Sequence, residues 1–174
     1  MTLVSSLAQL ADAQLVHSTT ESDADFIFKH TLTQETVYKA LLKTQRRALH
    51  RAVAEAIEKT FPDLKGKLSD VLAYHWEHAE VPDRARRYLF RAAQNALRRY
   101  ANQEALGLLE RALALSDGAS PEELMAFRES RAQIFEFLSQ YAPAIADYHA
   151  ALPLARQANR LVDECRIMSR IAWL

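Results

Sequence analysis

The residues whose chemistry could amount to a site in this 174-residue chain are six histidines, one cysteine and a run of clustered cations. His75 and His78 stand one helical turn apart with Glu77 between them, a spacing at which two imidazoles could share a metal ion. They lack the His-Glu-x-x-His order and a third ligand in register, and the neighbouring Tyr74 and Trp76 point to helix packing, so no metal is expected. His50, between Leu49 and Arg51, reads as a structural residue. Cys165 is the only cysteine, which excludes an internal disulfide and a multi-thiolate site. Gly66-Lys67 resembles the end of a phosphate-binding loop, but Phe61 and Leu68 occupy the other positions that such a loop requires. ATP hydrolysis by this chain alone is therefore not expected. No Ser/His/Asp set or carboxylate pair stands out, so no residue is assigned a catalytic role and the chain is not read as an enzyme.

These residues must be positioned by elements that the composition makes mostly helical. Ala, Leu, Glu, Arg and Gln recur, with only three glycines and five prolines to interrupt them. Hydrophobic residues make up 49% and charged residues 25%, the profile of a globular chain with a real core. The 22 basic and 22 acidic residues cancel, so no overall field draws the chain to nucleic acid or anionic lipid. No apolar run approaches the roughly 20 residues that span a bilayer, and the first residues lack the pattern of a signal peptide. The expected setting is the cytoplasm, with no membrane and no nucleic-acid partner.

Residues 1–60 read as one unit. Leu3, Leu7 and Leu10 recur at helical spacing, Leu15-Val16-His17 is briefly extended, and Ser18 to Asp25 is polar enough for a turn. Asp25-Phe26-Ile27-Phe28-Lys29 alternates as a strand should, and His30 follows at its end. Thr31 and Gln34 have capping-box spacing, which predicts a helix starting there, with a break near Thr44 before a second apolar run through Ile57. This order matches the second half of a winged helix. Residues 61–67 read as a linker.

Residues 68–174 read as helix pairs. Starts are predicted at Ser69, at Val81-Pro82, at Asn102, at Ser120-Pro121-Glu122-Glu123, at Ala142-Pro143 and near Leu161, with one stop at Asp117-Gly118. Small residues recur twelve positions apart, as Ala73 and Ala85, Ala93 and Ala105, and Ala132 and Ala144. With Leu89, Leu109, Phe135 and Tyr148, they occupy the interface spacing of tetratricopeptide helices. The step from Ala105 to Ala144 exceeds the usual period of about 34 residues, so the repeat is degenerate and includes an insertion. The final helix, from Arg166 to Leu174, reads as the first half of a further repeat, so the array is expected to be truncated. The fold class is accordingly all-α: a partial winged helix with a small β-hairpin, then a tetratricopeptide-like α-solenoid.

The run Phe28-Lys29-His30-Thr31-Leu32-Thr33-Gln34-Glu35, with Tyr38, Leu41-Leu42, Arg46-Arg47, Leu49-His50 and Val53-Ala54-Glu55, resembles a known block. It is similar to the segment that closes the nucleotide-binding module of bacterial STAND-type signalling ATPases, those fused to cyclase, kinase or LuxR-type output domains. Leu72-Ala73-Tyr74-His75-Trp76-Glu77 and the stretch from Ala85 to Ala92 continue the resemblance, which covers most of the chain. In the wider class a Met-His-Asp motif at this point sets its histidine against the β-phosphate of bound ADP. The resemblance therefore implies that His30 is a cofactor-binding residue, although Lys29 and Thr31 replace the Met and Asp.

On that reading the chain is a non-catalytic regulatory and protein-interaction fragment of such an ATPase. It couples the nucleotide state of an absent upstream domain to a helical-repeat sensor arm. ATP or ADP belongs to the parent protein and this chain holds no cofactor of its own; its partners are that absent domain and a protein bound by the repeats. One alternative is a stand-alone helical-repeat adaptor that binds a partner protein. A second is a DNA-binding winged-helix regulator that uses Lys39, Lys43, Arg46, Arg47 and Arg51, although these cations do not lie on the segment that would be the recognition helix.

Overall fold

A computed structural model describes residues 3–19 and 22–174, with side chains described over 5–17 and 26–174. The chain is all-α with one small hairpin. Helices α1 (Leu3–Asp12), α2 (Thr31–Ala40) and α3 (Lys43–Thr60) flank and follow strands β1 (Val16–Thr19) and β2 (Ser22–Phe28). A 3-10 turn at Pro62–Leu64 leads to α4 (Ser69–His78), α5 (Pro82–Arg98), α6 (Asn102–Ala114), α7 (Pro121–Phe137), α8 (Tyr141–Gln157) and α9 (Leu161–Trp173). Contacts divide the chain into two compact units, Met1–Arg46 and Arg47–Leu174. The division falls within α3, earlier than the 61–67 segment, because most of α3 packs with the helices that follow it.

In the first unit β1 and β2 pair antiparallel, with Val16 opposite Phe28, His17 opposite Ile27 and Ser18 opposite Phe26. The register shifts between Ser18 and Thr19, and Thr19 then faces Ser22. The polar turn expected over Ser18 to Asp25 is thus largely strand, because backbone pairing continues past the aromatic run; residues 20 and 21 lie outside the described residues. The side chains of β2 alternate, with Ile27 exposed and Phe26 and Phe28 half-buried. Val16 is buried, α1 packs on β1, and α2 contacts β2 but buries none of its own residues.

The capping box expected from Thr31 and Gln34 does not form, because the helix starts one residue earlier than that motif requires. His30 is the N-cap, in extended backbone at φ −133° and ψ 126°, and makes no side-chain cap. Its carbonyl accepts from the amides of Thr33 and Gln34 at 3.0 and 3.3 Å. The break between α2 and α3 lies at Leu41 and Leu42 rather than Thr44. Leu41 is extended, the Leu42 amide donates to Gln45 Oε1 at 3.0 Å, and the Leu42 carbonyl accepts from Arg46.

In the second unit the principal contacts join consecutive helices: α4 to α5, α5 to α6, α6 to α7, α7 to α8 and α8 to α9. Four junctions are built alike. Each helix closes on a residue in left-handed backbone (Glu80, Tyr100, Ser139 or Asn159, at φ 53–59°), and none of them is glycine. The amide of the next residue reaches back five positions: Val81 to Trp76, Ala101 to Ala96, Gln140 to Phe135, and Arg160 to Ala155. That is the 6→1 bond of a Schellman closure. The same four residues are also the N-caps of the following helices, their carbonyls accepting from Ala85, Ala105, Ala144 and Glu164.

This hand-over explains two corrections. Asn102 is the first residue of α6 and not its cap, because Ala101 holds that place. Ser69 likewise begins α4 after Leu68; it is buried, and its hydroxyl donates to the Gly66 carbonyl. The α6–α7 connection is different in kind. Helix α6 ends at Ala114, ahead of Asp117-Gly118, and Gly118 takes the left-handed backbone at φ 75° within the turn. Ser120 then forms a full capping box, its hydroxyl accepting from the Glu123 amide at 3.2 Å while Glu123 accepts from the Ser120 amide at 3.2 Å. This connection is the insertion that lengthens the step from Ala105 to Ala144.

The alanines read from the sequence as close-contact positions are buried. Ala73, Ala85, Ala105, Ala132 and Ala144 have no exposed surface, nor do Leu89 and Leu109 beside them. A missing side chain beyond Cβ lets helices approach closely, while the adjacent leucines fill the grooves and contribute about 1.5–3 kcal/mol each. One buried cluster runs from Ala54 of α3 through α4, α5 and α6 to Phe127 and Ile134 of α7. A second joins Met125 and Ala132 of α7 to Tyr148 and Ala151 of α8 and Ile167 of α9.

Candidate functional site

His30 stands where the aromatic strand hands over to α2, as the sequence predicts. Its side chain is exposed and its own carbonyl is occupied by the first helical amides. As N-cap residue, His30 sits at the start of α2, the end that carries the positive pole of the helix dipole. Lys29 is also exposed, with its amide donating to the Leu15 carbonyl at 3.0 Å.

The cations grouped in the sequence are drawn to separate neighbours rather than to one surface point. In the first unit Lys39 pairs with Glu35 at 3.0 Å, and the Arg46 guanidinium lies 5.3 Å from the Tyr38 ring centroid. In the second unit Arg47 bonds Glu80, and Arg51 stands 4.0 Å from Glu55. Gly66 and Lys67 belong to the turn before α4, where the Gly66 carbonyl accepts from the Ser69 hydroxyl and, at 2.6 Å, from the Asn95 amide. The Cys165 side chain is exposed on α9.

Distant residues meet in two polar groups that linear spacing does not show. The first centres on Glu58 of α3, which accepts from Trp76 Nε1 at 3.1 Å, Tyr88 Oη at 2.8 Å and Arg84 at 2.5 Å. Burial by itself would raise the Glu58 carboxyl, but the bonds from Tyr88, Arg84 and Trp76 outweigh it and hold the group below its ordinary range. Burial and the facing carboxylate push the Tyr88 phenol up to about 12. Glu58 therefore fastens α3 to both α4 and α5.

The second group is a histidine cluster. His50 Nδ1 of α3 lies 3.0 Å from His75 Nδ1 of α4, and the His50 ring centroid is 4.9 Å from that of His78. Tyr74 stacks at 4.1 Å from His78, whose Nδ1 is 2.8 Å from the Tyr74 carbonyl. Burial, then the charges of His78 and His75, lower the His50 ring below its ordinary value, and burial followed by His78 does the same for His75. His75 and His78 are visible as a pair in the sequence, but His50 is 25 residues from His75, and only the α3–α4 packing brings it in. Among the described residues, no three His, Cys, Asp or Glu side chains are placed to hold a metal ion.

Further along, charged groups that are buried on at least one side tie elements together. Asp147 of α8 accepts from Arg131 of α7 at 2.6 and 2.7 Å and from Arg128 at 3.2 Å. Arg166 of α9 donates to both oxygens of Glu129 of α7 at 2.9 Å. Buried Arg86 of α5 reaches the carbonyls of Leu115 and Asp117 at 2.8 and 3.1 Å, closing the end of α6. These groups set helix register.

No helix among the described residues is long and apolar enough to cross a membrane. No protein-family description matches the chain, and no solved structure matches it. A curated protein of Rhizobium meliloti (strain 1021), itself described as uncharacterized, is similar, with 35% identity over 105 residues. That similarity covers 57% of this chain but only 10% of the relative, so the chain spans about a tenth of the length of the curated relative it matches.

Proposed function

We propose that the chain is a non-catalytic regulatory and protein-interaction segment of a STAND-type signalling ATPase. On this reading its first unit is the end of a winged helix, and its consecutive helix pairs are a tetratricopeptide-like sensor arm working in the cytoplasm. The observation that carries it is the placement of His30: an exposed imidazole at a strand–helix junction, beside the amides of a helix start, where a phosphate oxygen of ADP held by an upstream domain would be received. The buried alanines and the repeated Schellman closures support the helical-repeat half of the reading. Nucleotide belongs to the parent, and the contact from this segment is to phosphate alone.

The test is His30→Ala in a protein that joins this segment to its upstream P-loop domain. ADP retention, followed by equilibrium dialysis, should weaken roughly tenfold, or about 1.4 kcal/mol. Unchanged retention together with unchanged basal signalling would remove the assignment.

A second reading, a stand-alone adaptor, is favoured by the apolar side chains that α9 leaves exposed, Leu161, Val162 and Trp173. The isolated chain binding a partner protein at full affinity without nucleotide would support it over the first. A DNA-binding winged helix is the weakest reading, because Lys39, Arg46, Arg47 and Arg51 are engaged by neighbours. Salt-dependent duplex binding that is lost on charge reversal at Arg46 and Arg47 would revive it.

A further inference from the structure

We propose that His50, His75 and His78 form an acid-sensitive latch, which holds α3 against α4 while the rings are uncharged and releases it when they take up protons. The geometry sets the chemistry. Two Nδ1 atoms 3.0 Å apart bond only if one ring donates and the other presents a lone pair. Protonating both rings turns two N–H groups toward each other and adds a like-charge repulsion, with His78 close enough to His50 to strengthen it. His50 is buried, so its charge cannot be taken up readily by solvent.

Several charged side chains near the cluster are cations, or carboxylates that already serve arginines. On α3, Arg47 and Arg51 lie one turn before and one residue after His50, and both are cations. Glu77, late in α4, accepts from Arg111 of α6, and Glu80, just past the end of α4, accepts from Arg47. From α5, Arg84 and Tyr88 are both bound to Glu58, and Tyr74 supplies only a ring face. Among the described residues no three His, Cys, Asp or Glu side chains are placed to hold a metal ion.

The sign follows from which state takes the protons. Both His50 and His75 are held below their ordinary value of 6.5, so in acid the unfolded or undocked chain binds protons first. The docking is fully present above that value and is lost as pH falls below it and through the lower values of the docked rings. Because α3 begins in the first unit and ends in the second, the latch governs how firmly α3 is anchored within the second.

The test is thermal unfolding of the full chain by circular dichroism at pH 7.5 and pH 5.5, where the midpoint should drop by about 3 °C or more in acid. His50→Gln with His75→Gln should flatten that dependence; an equal drop in the double variant, or none in the wild type, overturns the latch. Should the variant not fold, a histidine-ring NMR titration of the wild type decides. His50 and His75 taking up protons only below their ordinary value of 6.5 supports the latch, and both protonating at or above that value overturns it. Zinc ion that raises the wild-type midpoint at pH 7.5, but not that of the double variant, would overturn it in favour of a metal site.

Discussion

The two units of this chain use their apolar residues in opposite ways. In the second unit alanines, leucines and aromatics are buried between consecutive helices in two clusters, and polar groups meet in bridges such as Glu58 with Trp76 and Tyr88. In the first, Val16 is the buried hydrophobic among the described side chains, α2 buries nothing, and Ile27, Leu32, Val37 and Leu42 are exposed. A unit of about 46 residues has too little interior to stabilise itself by burial alone. The difference teaches that the second unit is a scaffold in its own right. The first leaves most of its described apolar side chains at the surface.

The sharpest way to break this contrast is to remove apolar volume from each unit. Leu109 of α6 has no exposed surface, so Leu109→Ala should lose about 3 kcal/mol, from lost transfer energy plus the cavity left behind. Leu32 of α2 is 76% exposed, so Leu32→Ala should stay within about 0.5 kcal/mol. Urea unfolding followed by far-UV circular dichroism measures both. A loss at Leu32 comparable to that at Leu109 would mean that the first unit has an interior of its own.

Helix caps offer a smaller test of the same kind. Ser120 makes a reciprocal capping box in the second unit, so Ser120→Ala should cost about 1 kcal/mol. Thr31 has the same sequence spacing to a glutamine but lies inside α2, so Thr31→Ala should change stability by no more than a few tenths of a kcal/mol. Equal losses in the same urea series would place the cap at Thr31 after all.

These two sites also show how much of the structure could be read from the chain. The motif Ser120-Pro121-Glu122-Glu123 was decisive because cap, proline and reciprocal carboxylate agree. Thr31-x-x-Gln34 was misleading because the extended His30 before it could end the strand and cap the helix at once. The twelve-residue steps between alanines carried the helix pairing, since a position that must admit a neighbouring backbone allows little beyond Cβ. Helix ends were harder to place, because four junctions turn on Glu80, Tyr100, Ser139 and Asn159, where no glycine marks the turn. The meeting of His50 with His75 and the gathering of donors on Glu58 depend on the register of packed helices, which local spacing does not encode. Of the candidate site, His30's place at the junction was legible in the sequence, but its role as N-cap was not.

The unmarked junctions give the smallest and most discriminating prediction. Tyr100 closes α5 at φ 59° with its side chain 82% exposed, so its ring contributes little packing to offset the strain of left-handed backbone in a residue with a bulky Cβ substituent. Tyr100→Gly should remove that strain and stabilise the second unit by roughly 0.5 kcal/mol, net of the entropy glycine adds to the unfolded chain. Asn159 has the same backbone at φ 54°, but asparagine already tolerates it, so Asn159→Gly should be neutral to slightly destabilising. The comparison holds junction geometry constant and changes only the cost of the residue that occupies it. If both glycines destabilise, Tyr100 holds its place through contacts of its ring, and the junction is fixed by packing rather than by the backbone closure that the four turns share.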